Sequence, residues 1–199
     1  MVVEAFTDLA ASGILRPTAR QIAHRAGVSV RLLFHHFQGI DGVASTALLA
    51  ALATHEGVLV AVPCRGDRIV RVASLCRQRR DYFEALLPLH RAAAARQSSD
   101  PSLNPALTSA LSADRLVLRQ QLVATFRTEL GHSSNSGLLD VIDHATGWQN
   151  WLSLRHDYSA PAAERIMAAT ALHLLPPSPS PPSPSPPSPL PASSPHAGD

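Results

Sequence analysis

A two-residue link between two short helical patterns most constrains how this chain can fold. The segments "TARQIAHRA" and "SVRLLFHHF" both have helical spacing of apolar residues, and only Gly27 and Val28 separate them. Thr18 and Ser29 are residue types that cap helix N-termini, and Gly27 readily takes the positive φ at which many helices end. Helices joined so tightly cannot easily lie antiparallel, so we expect the sharp crossing of a helix-turn-helix.

Apolar residues recur at helical spacing through most of the remaining chain, and no segment alternates apolar and polar residues as a half-buried strand does. Aromatic residues are only 5% of the composition, while Ala and Leu are abundant, which favours helices. The fold class is predicted to be all-α. Pro88 is expected to interrupt one of the helices. The expected helices beyond the opening ones cover residues 41–62, 67–96, 112–130, 138–156 and 160–175.

The chain is predicted to have three parts. Residues 1–44 would form a helix-turn-helix domain and residues 45–175 a larger helical domain. Residues 176–199, "PPSPSPPSPSPPSPLPASSPHAGD", are Pro/Ser low complexity. Proline has no amide hydrogen to donate and blocks helices and central strands, so this tail is expected to be disordered.

Charge and cysteine content limit the possible partners and the cellular compartment. The formal charge is +2, so any basic function must be local. Cys64 and Cys76 match no metal-binding spacing and suit a reducing compartment. The first residues lack the pattern of a signal peptide, and the longest uncharged stretch of the folded part is too short to span a bilayer. We therefore expect a cytoplasmic protein without membrane contact.

The third predicted helix has two different faces. At 100° per residue, the apolar residues that share one face are Val30, Leu33, Phe34 and Phe37. The residues that share the opposite face are Arg31, Leu32, His35 and His36. The apolar face must pack on the preceding helices, which leaves the other face outward on a width that suits the DNA major groove.

The outward residues have the chemistry to read DNA. Arg31 can contact guanine through two hydrogen bonds or pair with a phosphate, and the imidazoles can donate or accept at base edges. Leu32 can meet a thymine methyl group. Hydroxyls at Thr18 and Ser29 can help to hold phosphates at helix N-termini. The alternative is a short surface helix whose Arg and His residues only face water.

The same residues resemble a known family. "VEAFTDLAASG" and "TARQIAHRAGVSVRLLFHHF" resemble the DNA-binding domain of the tetracycline-repressor (TetR) family of bacterial regulators. The C-terminal "DHATGWQNWLSLRHDYSAPAAERIMAATALHLL" resembles the last two helices of that family more loosely. The positions that match the family pattern are Gly13, Thr18, Ile22, Ala23, Ala26, Gly27, Val28, Ser29, Leu33, His36 and Phe37.

The resemblance implies a homodimeric repressor that binds a palindromic operator in double-stranded DNA. Its DNA-binding residues would be Thr18, Arg20, Ser29, Val30, Arg31, Leu32, Phe34, His35 and His36. The larger domain would bind an unidentified small-molecule effector and hold the two subunits together. Arg77, Arg79 and Arg80 form a basic run that would be solvated or would attract an acidic effector.

Two sets of residues in the larger domain are candidates for these roles. Apolar stripes near the end of the chain can pair with their copies in a second subunit, or form ordinary core. The predicted dimer interface is Val141, Ala145, Trp148, Leu152, Ile166 and Thr170. The members of the predicted effector pocket, which are also candidates for core, are Phe83, Leu87, Leu122, Phe126, Trp148 and Trp151.

The sequence departs from the family pattern at positions that bind phosphate. Phe34 stands where the family often has a Tyr whose hydroxyl reaches a phosphate, and Ile40 stands where a Lys is common. The basic arm that usually precedes the first helix is not found before Val2. These departures predict weaker DNA binding. They also leave open a helical small-molecule-binding or interaction protein whose helix-turn-helix no longer binds DNA.

No catalytic, cofactor or metal site is predicted. "GHSSNSG" is not a Gly-x-Ser-x-Gly elbow because residue 135 is Asn, and no phosphate-cradling glycine motif or HExxH occurs. His35 and His36 are neighbours on a helix and point about 100° apart, so they cannot easily bind one metal ion. The sequence therefore predicts a non-enzyme.

Overall fold

The structure is a computed structural model that describes residues 1–55, 58–59, 62, 66–96, 105–131 and 136–177. Within those residues every regular element is a helix, which confirms the all-α class. The helices are α1 (Val2–Ala11), α2 (Ala19–Ala26), α3 (Val30–His36), α4 (Gly39–His55), α5 (Arg68–Arg96), α6 (Pro105–Thr125), α7 (Arg127–Leu130), α8 (Ser136–Thr146), α9 (Trp148–Asp157) and α10 (Ala160–Leu174).

The first four helices pack closely together. α1 packs against α2 and α4, and α3 packs against α2 and α4. Gly27 ends α2 with φ +65°, and the amide of Val28 then donates to the carbonyl oxygen of Ala23 at 3.0 Å. This is the glycine-terminated helix end that the sequence predicts. The side chains at the centre of this group are fully buried: Phe6, Ile22, Leu33 and Val43.

α4 connects this group to the rest of the chain. It packs against both α1 and α5, and the predicted domain boundary at residue 44 falls inside it. Buried apolar residues form one continuous core from α1 to Leu175, rather than two separate cores. A displacement of α4 would therefore also displace the helices packed on it, including α1 and α5, because close-packed interiors transmit displacement.

α5 is continuous from Arg68 to Arg96, so the interruption that we expected at Pro88 does not occur. Proline removes one hydrogen bond from a helix. Here the side chains on both sides of it are buried in the core, namely Leu86, Leu87 and Leu89. The packing of those side chains offsets the missing hydrogen bond.

Two predicted helices are each divided in the structure. The segment 112–130 separates into α6 and α7 at Phe126, and the segment 138–156 separates into α8 and α9 at Gly147. Gly147 has extended backbone angles, and a Cβ there would lie 2.7 Å from the carbonyl oxygen of Asp143. Only glycine tolerates so close a backbone approach.

Two buried arginines on α5 tie it to α6, α7 and α8. Arg71 donates to the carbonyl oxygen of Thr125 at 2.8 Å and pairs with the buried carboxylate of Glu129. Arg79 is fully buried and donates to backbone oxygens of α6 and α8. Such groups are tolerated in a core only when they are hydrogen-bonded.

Two further predictions concern the ends and surfaces of the chain. Residues 178–199, most of the predicted disordered tail, lie outside the described residues. No single helix of the described part is long and apolar enough to cross a membrane. Only when α3 and α4 are taken together, across a bend of 65°, do two helices reach the length and apolar composition of a membrane span in the described part.

Candidate functional site

The start of α2 is held by a reciprocal capping box. The amide of Gln21 donates to Oγ1 of Thr18 at 3.3 Å, and the amide of Thr18 donates to Oε1 of Gln21 at 2.8 Å. The hydroxyl of Thr18 also donates to Oε1 of Gln21 at 3.0 Å. Thr18 therefore positions α2, and its hydroxyl is already engaged within the cap. The Thr-x-x-Gln spacing is the signal that identifies Gln21 in the sequence.

α3 begins at Ser29, whose Oγ accepts a hydrogen bond from the amide of Leu32 at 3.1 Å. Leu33 is the fully buried residue of this helix and fixes it to the core. Val30 is half-buried. The side chains of Arg31, His35 and His36 are exposed on the same short helix, so the structure brings together the residues that were predicted to read bases.

Phe34 corrects one part of the prediction for α3. It was expected on the packing face with Leu33, but it is 52% exposed. Leu32 is 42% exposed, as expected for the outward face. Leu33 is the fully buried residue of this seven-residue helix, and Phe34, one position further along, is turned by about 100° from it. The outer surface of α3 is therefore a mixture of apolar and basic groups.

Arginines on α2 and α3 form the basic part of this surface. Arg20 and Arg31 are exposed and have no ion-pair partner within the described part of the chain. Arg25 lies 3.6 Å from the carboxylate of Asp8, and both side chains are about half exposed. Pairs of that kind contribute little to stability because water screens them. Arg20 and Arg31 are therefore the available cations of this surface.

A second candidate site is a cavity of about 460 Å³ among α4, α5, α6, α8 and α9. Leu48 of α4 forms part of its wall, and so do Trp148 and Leu152 of α9. Its volume lies within the range of small-molecule sites. The charged and polar residues that line it are His90, Asp114, Arg115, Asp143, His144 and Gln149.

The predicted pocket residues occupy different places. Of the six, Trp148 lines the cavity. The others are buried in the surrounding core, namely Phe83, Leu87, Leu122, Phe126 and Trp151. Of the predicted dimer residues, Leu152 also lines the cavity and Ala145 is buried, while Ile166 is half-buried. Val141, which is 51% exposed, and Thr170 lie on the surface.

An aromatic pair forms one wall of the cavity. The ring centroids of His90 and Trp148 lie 4.0 Å apart, and the ring of Phe83 meets Trp148 edge-on at 5.0 Å. Burial lowers the pKa of His90 to about 4, so its imidazole is neutral near pH 7. A neutral imidazole can both donate and accept a hydrogen bond, and sequence reasoning did not identify this residue.

Carboxylates come from two other helices. Burial raises the pKa of Asp114, against the hydrogen bond from the hydroxyl of Tyr82 and the charge of Arg79, which both lower it. Oδ2 of Asp143 lies 3.5 Å from the guanidinium groups of Arg115 and Arg119. Neither carboxylate was predicted from the sequence, because no motif in the neighbouring residues distinguishes them from other aspartates.

The predicted basic run does not act as a unit. Arg77 is exposed, Arg79 is fully buried, and Arg80 lies 2.5 Å from the carboxylate of Glu164. Arg79 is therefore not solvated, and its guanidinium is occupied by hydrogen bonds to protein oxygens. The three arginines therefore do not form one exposed basic surface.

The described residues contain no group of three or more His, Cys, Asp or Glu side chains that could hold a metal ion. The rings of His35 and His36 meet edge-on, with centroids 5.2 Å apart. Cys76 is buried, and burial raises the pKa of its thiol to about 12. Cys64 and the loop residues 132–135 lie outside the described residues.

Comparison with protein-family models, with curated proteins and with solved structures found no match.

Proposed function

We propose that the chain is a cytoplasmic, homodimeric transcriptional regulator of the TetR type, which binds a palindromic operator through α3 and responds to a small molecule. The observation that carries the proposal is the presentation of Arg31, His35 and His36 on a helix that Leu33 anchors to the core. The family resemblance of residues 2–37 supports it. The proposed outcome of DNA binding is repression.

The dimensions of α3 suit the proposed contact. Seven residues at 1.5 Å each give a helix about 10 Å long, and the major groove of B-DNA is about 12 Å wide. Arg31 is in the first turn and has no competing ion pair in the described part of the chain, so its guanidinium is free to contact a guanine edge or a phosphate. Arg20 of α2 would approach the adjacent backbone.

The proposed dimer places two copies of α3 in successive major grooves, one helical turn of DNA apart or a multiple of it. α4 supports a link between effector and DNA, since Leu48 lines the cavity while the same helix packs against α1 and α3. A ligand that binds one position of α4 better than another would change the spacing of the two α3 helices.

Comparison of two arginine variants tests the DNA contact. Arg31→Ala is expected to weaken binding to a selected duplex by about 1–3 kcal/mol. Arg77→Ala removes the same charge from an exposed position on α5, and we expect it to bind like the wild type. Equal affinities of both variants and the wild type, measured by fluorescence anisotropy, would remove Arg31 from DNA recognition.

One observation favours a second candidate function. Phe34 places exposed apolar surface where the family pattern has a polar phosphate contact, and Leu32 of the same helix is also exposed. A helical small-molecule-binding protein with a non-DNA-binding head would use the cavity and not α3. In that case a folded wild-type protein would bind a small ligand and retain no duplex even at low salt.

A further inference from the structure

Asp114 differs from the other carboxylate of the cavity in how its charge is balanced. Asp143 faces two guanidinium groups, those of Arg115 and Arg119, each at 3.5 Å. Asp114 accepts a hydrogen bond from the hydroxyl of Tyr82, and no guanidinium lies within ion-pair distance of it among the described residues. The hydroxyl is neutral, so it satisfies a lone pair of Asp114 without neutralising its charge.

The buried guanidinium of Arg79 offsets the charge of Asp114 only in part. Arg79 lowers the pKa of Asp114, but its N–H groups are directed to the carbonyl oxygens of Leu118 and Thr146. Burial still raises the pKa of Asp114 overall. The carboxylate therefore lies in a cavity where its ionised form lacks full compensation.

Another part of the cavity lining suits a flat or apolar group. The rings of Trp148 and neutral His90 pack against each other, with centroids 4.0 Å apart and planes tilted by 40°. Such a pair gives a largely apolar surface on which the hydrocarbon part of a ligand can pack. The remaining wall is largely aliphatic, including Leu48, Leu111 and Leu118. A carboxylate and an aromatic surface that line one cavity suit an organic amine, whose ammonium group pairs with the carboxylate and whose hydrocarbon part packs on the rings.

We propose that the cavity binds an organic cation, with its ammonium group on Asp114 and its apolar body against Trp148 and His90. This inference deepens the proposed function by naming the class of effector. An organic anion would be repelled by the carboxylate of Asp114, which has no guanidinium partner among the described residues. Arg115, which lines the cavity, already faces Asp143, and its side chain is 76% exposed and therefore well solvated.

Three probes of equal shape test the preference for a cation. They are 4-phenylbutylammonium, 4-phenylbutan-1-ol and 4-phenylbutyrate, titrated at pH 7.5 into the whole chain by calorimetry, with tryptophan emission as a second readout. We expect the ammonium ion to bind at least tenfold more tightly than the alcohol or the carboxylate. Equal affinity for the alcohol, tighter binding of the carboxylate, or no binding of any probe would overturn the proposal.

A matched pair of variants locates the contact. Asp114→Asn keeps the acceptor for Tyr82 and removes the charge. It is expected to weaken binding of the ammonium ion at least tenfold and binding of the alcohol less than twofold. Asp8→Asn removes the same charge from an exposed residue of α1 outside the cavity, and its affinities should match the wild type. Unchanged binding of the ammonium ion to Asp114→Asn would exclude Asp114 as the anchor.

DNA retention of the same preparations separates this inference from the proposed function. Selective ammonium binding by a protein that retains no duplex would uphold the cavity inference and reject DNA binding. Duplex binding by a protein that binds none of the three probes would uphold DNA binding and reject the cavity inference.

Discussion

Arg79 donates to both oxygens of Thr146, to the carbonyl at 2.8 Å and to Oγ1 at 2.5 Å. Thr146 is the last residue of α8, where helical carbonyls have no partner within the helix. The same guanidinium donates to the carbonyl oxygen of Leu118 in α6 at 2.6 Å. One buried cation on α5 thus fixes the end of α8 beside the break at Gly147, and so fixes one side of the cavity.

Replacement of Arg79 by leucine is expected to destabilise the protein by roughly 3–5 kcal/mol, because several buried acceptors lose their donor together. Arg77→Leu changes an exposed arginine two residues earlier and should alter stability by less than about 0.5 kcal/mol. Urea unfolding followed by circular dichroism measures both. Similar stabilities for the two variants would show that the hydrogen bonds from Arg79 to Thr146 and Leu118 do not stabilise the fold.

The buried and exposed ion pairs should differ strongly. Glu129→Ala leaves the charge of Arg71 buried without its carboxylate, and we expect a loss of about 3–5 kcal/mol in the free energy of unfolding. Asp8→Ala breaks the pair with Arg25, which is exposed and 3.6 Å apart, and should cost less than about 0.5 kcal/mol. The same urea titration compares them, and equal losses would refute the contrast.

His90 should make stability depend on pH. Its pKa is about 4 in the folded protein and 6.5 in the unfolded chain, so the unfolded chain binds the proton first as pH falls. The contribution of His90 to the free energy of unfolding is fully present above about pH 6.5. It decreases by roughly 3 kcal/mol as pH falls to 4.

Variants at two cavity histidines check this pH dependence. His90→Asn should flatten the fall in unfolding free energy between pH 6.5 and pH 4.5. His144→Asn, an exposed histidine that lines the same cavity, should keep the slope of the wild type. Other titratable groups of the cavity, Asp114, Asp143 and Arg115, are present in all three proteins. An unchanged slope in His90→Asn would show that folding does not lower the pKa of His90.

The capping box on α2 should contribute measurably to stability. Thr18→Ala removes the acceptor of the Gln21 amide and is expected to cost about 1 kcal/mol. Thr46→Ala, at an exposed position within α4 where the hydroxyl bonds the carbonyl of Gly42, should cost much less. Thermal unfolding distinguishes them, and equal melting temperatures for the two variants would contradict the role of Thr18.

Local sequence signals predicted the turn between α2 and α3 well. Thr18, Gly27 and Ser29 act through hydrogen bonds and backbone angles within a few residues of themselves, so their residue types alone indicate where helices begin and end. The exposure of Phe34 was not predictable in the same way. It depends on how α3 packs on α2 and α4, which the residues of α3 alone do not determine.

The cavity could not be predicted from the sequence for a related reason. Large apolar residues such as Leu122 and Phe126 are candidates for a pocket and for the core alike, and in the structure both are fully buried in the core. The residues that give the cavity its chemistry, His90, Asp114 and Asp143, come from three helices and meet only after folding. Gly147 carried a usable signal, because a glycine within a helical pattern often marks a break or a close approach of the backbone.

The most direct measurement for the central claim is selection of DNA from a pool of random duplexes by the purified chain, at two salt concentrations, followed by sequencing. The account predicts recovery of a palindrome whose half-sites lie about 10 base pairs apart or a multiple of that, with weaker binding at the higher salt. Failure to enrich any sequence at low salt, from a folded dimer, would contradict DNA recognition by α3.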